Sequence, residues 1–374
     1  MKINIIYIAL LAFVVQSCSK MNDLSDKFLD GGEIIYAAKV DSAACGAGNE
    51  RIKFEFYIKT NRTESIRIYW DDYTDSADLT ISKQIGVFTK TLESMAERSY
   101  VFNIVCFDEF GNKSLPYELS GIANGPTYQN MITNRVAASI SANVAGDKIF
   151  IWNNVDTDRG ARYTELKYTN TSNMETVLIV PASEDTTTVT DHKPGTTFSS
   201  RTIYVPDQMN VDTFYTSVRV NENTSFVLNK KVFVGYSDRV NSGNDNRAEN
   251  AVDGNRNNRW HSADVAYPHW VTFHMDGVAT IRKFSVWPSV YDVGSKTHDD
   301  RFPTQVQLLV SMDYPADPTD DSQWIDLGTF ASNPNFAGEQ VFEITTPVAA
   351  KYVKFKGVSG NVRYLVIGEV DVYI

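Results

Sequence analysis

Between residues 52 and 58 apolar side chains occupy every second position, Ile52, Phe54, Phe56 and Ile58, while Lys53, Glu55 and Tyr57 fall between them. A period of two marks a strand with one packed face and one wet face. The alternation returns over Ile66, Ile68 and Trp70, and over Tyr100, Phe102, Ile104 and Cys106, which run into the turn cluster Asp108-Glu109-Phe110-Gly111-Asn112. A second series predicts strands at 149–152, 164–168, 176–180 and 214–220. A third is carried by Val271 and Phe273, Phe284 and Val286, Val306, Leu308 and Val310, and Val353 and Phe355. Nowhere does a long helical period displace these patterns. The predicted fold class is all-β, made of antiparallel sandwiches with polar end loops.

The first residues follow another rule. Lys2 precedes an apolar run from Ile5 to Val15, then Gln16, Ser17 and Cys18. That run is shorter than the roughly 20 apolar residues of a membrane-spanning helix, so it reads as a cleavable secretory signal over 1–17. Val15-Gln16-Ser17-Cys18 resembles a bacterial lipobox, which implies acylation of Cys18 and contact with a membrane only through that lipid. Residues 18–32, with Asp23, Asp26, Lys27 and Asp30 before Gly31-Gly32, read as a polar tether. Asn124-Gly125-Pro126 and Asn221-Glu222-Asn223-Thr224 then punctuate the chain, giving expected domains at 33–125, 126–224 and 225–374.

Composition narrows the functions. A net charge of −11 leaves no concentrated basic face for phosphate, which argues against nucleic acid as a partner. Apart from Cys18 the cysteines are Cys45 and Cys106; they read as free thiols or as one bridge, and disulfides are not the main source of stability. No GxSxG elbow, HExxH helix or CxxC pair occurs, and Asp71-Asp72, Asp299-Asp300 and Asp320-Asp321 are adjacent acids of turns, not carboxyls opposed across a cleft. The sequence points away from catalysis, and no catalytic residue is assigned.

The segment Tyr100 to Ser114 resembles the penultimate strand and turn of fibronectin type III-like domains, where a tyrosine tethers the corner. Phe28 to Ser42 through Ile66 to Asp72 is also similar to an uncharacterised module of Bacteroidota lipoproteins. Further on, RAENAVDGNRNNRWHS (247–262), YPHWVTFHMDG (267–277), IRKFSVWP (281–288), VQLLVSMD (306–313), Trp324 and IGEVDVYI (367–374) resemble, in order and spacing, the discoidin or coagulation factor 5/8 type C domain. The expected architecture is therefore two fibronectin III-like sandwiches followed by a discoidin-like jelly-roll sandwich.

Asp253, Asn255 and Asn258 put oxygen donors on a tight Gly254 turn, as a hard cation requires. The resemblance implies that a structural Ca2+ is held there with a carboxylate near the C-terminus, here Glu369. The competing reading is that Asp253 and Asn255 only close a turn through side chain to backbone bonds. The resemblance further implies a ligand gripped by end loops: a sugar, as in family 32 carbohydrate-binding modules, or an anionic lipid, which the acidity disfavours. A sugar site needs an aromatic face and planar polar groups. Candidates are His261, then Tyr291, His298, Asp299 and Arg301, and the last loop with Asn361, Arg363 and Tyr364. Trp260 and Trp270 read as core, and His269 and His274 as packed in or beside strands. The expected function is a non-catalytic, carbohydrate-binding lipoprotein anchored to the bacterial outer membrane and facing the surface, with an extracellular glycan as partner and a polysaccharide-uptake complex as its setting. The alternative is an adhesin or protein-interaction lipoprotein without a sugar site.

Overall fold

The computed structural model describes residues 35–209, 211–241, 246–289 and 300–374. The signal, Cys18 and the tether, and the site candidates Tyr291, His298 and Asp299, lie outside the described residues. Among the described residues the chain forms two compact units, 35–131 with 205–214, and Ile132–Tyr204 with Tyr215–Ile374.

In the first unit, strands Ser42–Gly48, Arg51–Ile58 and Gly86–Glu93 form one antiparallel sheet, and Asp75–Thr80, Ser65–Trp70, Arg98–Phe107 and Tyr117–Ala123 form a second. The alternation is obeyed to the residue. Ile52, Phe54, Phe56 and Ile58 are fully buried and meet Ile66, Ile68, Phe102 and Ile104 from the facing sheet. Phe54 and Phe102 cross edge to face at 4.8 Å, a favoured aromatic geometry. Tyr100 Oη donates to the Ala96 carbonyl at 2.9 Å, tying the strand to the turn before it. Cys45 and Cys106 are both free thiols.

The second unit holds two hydrophobic cores. One is built on Phe150, Trp152, Leu166, Val180 and Phe198, between the sheet of Glu175–Pro181, Ala161–Thr169 and Phe198–Tyr204 and the strands Thr186–Val189, Lys148–Trp152 and Ala137–Ala142. The single strand expected at 214–220 is instead two short ones, Phe214–Tyr215 and Arg219–Asn221. Between them, the Asn134 side chain takes one backbone partner, its Nδ2 donating to the Ser217 carbonyl at 2.6 Å, and its Oδ1 accepts from the Thr216 hydroxyl at 2.8 Å.

The larger core fills the C-terminal module. Two long, bulged strands, His269–Trp287 and Gln340–Gly360, pair antiparallel, with register shifts at His274/Ala279 and Ile281/Lys283. Glu369–Tyr373 and Val232–Tyr236 also pair with the first of them, and Pro303–Ser311 with the second, followed by Ile325–Ala331. Trp260, Val271, Phe273, Phe284, Val306, Leu308, Val353, Phe355 and Val370 all point into this core and are fully buried. Val227 links the two cores: it pairs parallel with Ser141 on one side and antiparallel with Tyr373 on the other.

Candidate functional site

Far apart in sequence, Trp260–His261 and Val366–Ile367 form a two-stranded antiparallel ribbon. Ser262 strengthens it: its amide donates to the Leu365 carbonyl at 3.0 Å, and its Oγ accepts from the Leu365 amide at 2.9 Å. The ribbon sets the two loops that leave it side by side. His261 and Tyr364 consequently stack, ring centroids 4.9 Å apart and planes 21° from parallel. His261 Nδ1 lies 2.7 Å from the Ser262 carbonyl, so the tautomer that donates there leaves Nε2 as an acceptor.

Arg363 is exposed beside them, its Nε 3.8 Å from Asp264 Oδ1. Asn361, also exposed, lies on the same loop. The Val366 amide donates to the Arg301 carbonyl at 3.1 Å, which brings a third loop to this rim. Of the candidates among the described residues, His261, Arg301, Asn361, Arg363 and Tyr364 thus share one rim.

Three residues that sequence reasoning did not select hold this rim in place. His269, fully buried, has Nδ1 2.9 Å from an Asp238 carboxylate oxygen and Nε2 2.9 Å from the Arg363 carbonyl. Asp238 also accepts from Ser237 Oγ at 2.6 Å and from the Ala263 amide at 2.7 Å. Burial opposes ionisation of Asp238, yet the hydrogen bonds from His269, Ser237 and Ala263 outweigh it and hold the carboxyl below the usual range. One carboxylate therefore ties the start of the His261 loop to the ring that carries the Arg363 backbone. Tyr267 completes the support, donating from Oη to the Tyr364 carbonyl at 3.2 Å. It packs so closely on Gly360 that a Cβ there would overlap its hydroxyl. Trp260 is core, as its apolar neighbours suggest, with Nε1 donating to the Asp238 carbonyl at 3.1 Å.

The expected calcium turn does form, and it does reach Glu369: the Gly254 amide donates to Glu369 Oε2 at 3.0 Å. Its oxygens, however, are already used. Asp253 Oδ1 accepts from the Asn255 amide at 2.8 Å, Asp253 Oδ2 from Asn258 Nδ2 at 2.6 Å, and Asn255 Oδ1 from the Asn257 amide at 3.0 Å. Glu369 Oε1 accepts from Lys231 Nζ. Burial pushes the Glu369 carboxyl up to about 7, with Lys231 pulling the other way. Among the turn's side-chain oxygens, Asn258 Oδ1 is buried without a hydrogen-bond partner, whereas calcium takes six to eight oxygens, backbone carbonyls included. The turn-closing reading of Asp253 and Asn255 is the one these bonds follow, and the side-chain oxygens so engaged do not fit a calcium ion without giving up those bonds.

In chemical terms the rim offers a flat ring pair, a guanidinium, an amide and an acceptor nitrogen. That combination suits a polyhydroxylated ligand with an apolar face.

Residues 18–214 match the family model DUF4998, described as a domain of unknown function, and residues 235–370 match the F5/8 type C domain. No curated protein matches the sequence. Among solved structures, the chain is similar to the third family 32 module of a family 31 glycoside hydrolase from Clostridium perfringens, at 18% identity over 40% of this chain and 94% of that one, with a TM-score of 0.32. A family 32 module of C. perfringens NanJ, in complex with galactose, gives 15% identity over 39% and 100% of the two chains and a TM-score of 0.30. Another C. perfringens module, in complex with GalNAc-β-1,3-galactose, gives 19% identity over 40% and 99% and a TM-score of 0.32.

Proposed function

The chain belongs to the DUF4998 family, whose role is unknown, and we propose that the F5/8 type C domain it also carries makes it a non-catalytic carbohydrate-binding protein. The glycan is held on the rim by His261, Arg301, Asn361, Arg363 and Tyr364. The observation that carries this reading is the near-parallel His261–Tyr364 pair beside an exposed arginine, on loops braced from below by Asp238, His269 and Tyr267. Rigid loops lose little freedom on binding, so weak contacts to a sugar face and its hydroxyls are retained as affinity. In this reading the two N-terminal sandwiches are fibronectin III-like spacers. Cys18 carries the lipid that anchors the protein to the outer membrane, with the rim turned to the medium and a polysaccharide-uptake complex as its neighbour.

The test is to present residues 19–374 to a glycan array. Retention of one glycan class, weakened in Tyr364→Ala and in Arg363→Ala, is the expected result. Retention of a protein ligand with no glycan bound at any concentration would replace this reading with an adhesive one.

A further inference from the structure

Lys231 sits between the strands Val227–Leu228 and Val232–Tyr236, and its side chain is 5% exposed. Its ammonium donates to Glu369 Oε1, to the Val370 carbonyl at 2.7 Å and to Asp371 Oδ1 at 2.6 Å. Three donors meet three acceptors, the full complement of a lysine. Glu369 and Asp371 have side chains only 1% and 7% exposed, and two carboxylates at that depth need a positive partner. Arg256 adds a weaker contribution: its Nη2 lies 3.4 Å from Asp371 Oδ2, and its guanidinium stacks 3.5 Å over the Trp287 ring.

Glu369 then passes the connection on, because its second oxygen receives the Gly254 amide of the 253–258 turn. The ammonium and the turn thus share one carboxylate, Lys231 on Oε1 and the Gly254 amide on Oε2. We propose that Lys231 is a covalently attached substitute for a metal ion: the module folds and holds its Asp253–Asn258 turn without a divalent cation. Two features are specific to this arrangement. An N–H donor, Gly254, is aimed at the second oxygen of Glu369, and the side-chain oxygens of Asp253 and Asn255 are closed on Asn255, Asn257 and Asn258 donors. The proposal does not depend on the glycan reading, since it concerns what holds the fold.

The experiment is thermal unfolding of residues 19–374 in saturating calcium chloride and in excess EGTA, with terbium luminescence as a direct probe of metal binding. The expected result is one midpoint in both media and no sensitised terbium emission that calcium displaces. Lys231→Met strips the two carboxylates of their partner, and its midpoint should fall by about 6 to 20 °C, with part of the loss restored by calcium in this variant alone. A wild-type midpoint raised by calcium or lowered by EGTA overturns the proposal, as does displaceable terbium emission from the wild type. A Lys231→Met midpoint equal to wild type overturns it too, because the ammonium would then neutralise nothing. If Lys231→Met does not fold, the wild-type measurements still decide, and Lys231→Arg, which keeps a cation, should unfold at the same midpoint in calcium and in EGTA.

Discussion

Tyr364 lies against His261 with the two ring centroids 4.9 Å apart, although the residues come from different loops. Neither ring is held by the other alone: the His261 loop is fixed by the bond from the Ala263 amide to Asp238, and the Tyr364 backbone by Tyr267. Removing one ring should therefore cost ligand contact without collapsing the rim. Tyr364→Ala and Arg363→Ala are each expected to weaken glycan binding about tenfold, the equivalent of roughly 1.4 kcal/mol. Calorimetric titration with the array-selected glycan measures this, and an unchanged Kd in both variants would remove the rim from consideration.

Gly360 supplies a second handle on the same loop. A methyl group there would run into the Tyr267 hydroxyl, so Gly360→Ala should push the loop off its support. Binding is expected to drop as far as in Tyr364→Ala, with the unfolding midpoint lowered by no more than a few degrees, as about 1 kcal/mol of overpacking implies. Wild-type affinity in this variant would show that the loop's position does not matter.

His192 should make the second unit sensitive to acid. It is 4% exposed, stacks on Phe198 at 4.2 Å, and has Nδ1 buried without a partner. Burial, with Lys148 adding a like charge, pushes its pKa down to about 4. The unfolded chain, titrating near 6.5, binds the proton more tightly than the folded one, so stability is full above about pH 6.5 and declines as pH falls toward 4. The decline is at most about 3 kcal/mol. Denaturant unfolding across that range should show a shallower fall in His192→Phe, and equal slopes for both proteins would contradict the assignment.

Lys354 is a buried cation with one carboxylate. Nζ donates to Asp321 Oδ1 at 2.6 Å and to the Pro318 carbonyl at 2.7 Å, while lying 5.1 Å over Trp270 and 5.7 Å over Trp324. Asp321→Ala strands that charge and should destabilise by about 2 to 3 kcal/mol, a value tempered because Asp321 is partly exposed. Lys354→Met should cost much less, since a thioether packs between the two indoles. Chemical denaturation of both variants checks the order, and the reverse order would mean that the ion pair is not what holds this segment.

The strand pattern was largely open to reading because burial alternates with the backbone pleat; Ile52, Phe54, Phe56 and Ile58 need no tertiary information to be placed. The split at 216–218 was not, because Asn134, whose side chain occupies the Ser217 carbonyl and the Thr216 hydroxyl, sits in a distant loop. At the rim, residue type marked His261, Arg363 and Tyr364, whereas Asp238 and His269 gave no signal: an aspartate among polar residues and a histidine in an apolar strand look structural. Lys231 was hidden for the opposite reason. Beside Lys230, it reads as one half of a solvated basic pair, yet only Lys230 is exposed, reaching Asp276 at 2.7 Å. The oxygen-rich turn at 253–258 allowed two outcomes by composition alone, and its side-chain hydrogen bonds follow the turn-closing one.

The parallel pairing of Val227 with Ser141 and its antiparallel pairing with Tyr373 has a mechanical consequence. A pull applied through the C-terminal module loads these backbone bonds along the strand, where several must break together, before it can stretch a linker. Two modules that share strands in this way yield as one body, and the force needed to part them reflects a sheet being sheared, not a hinge being opened.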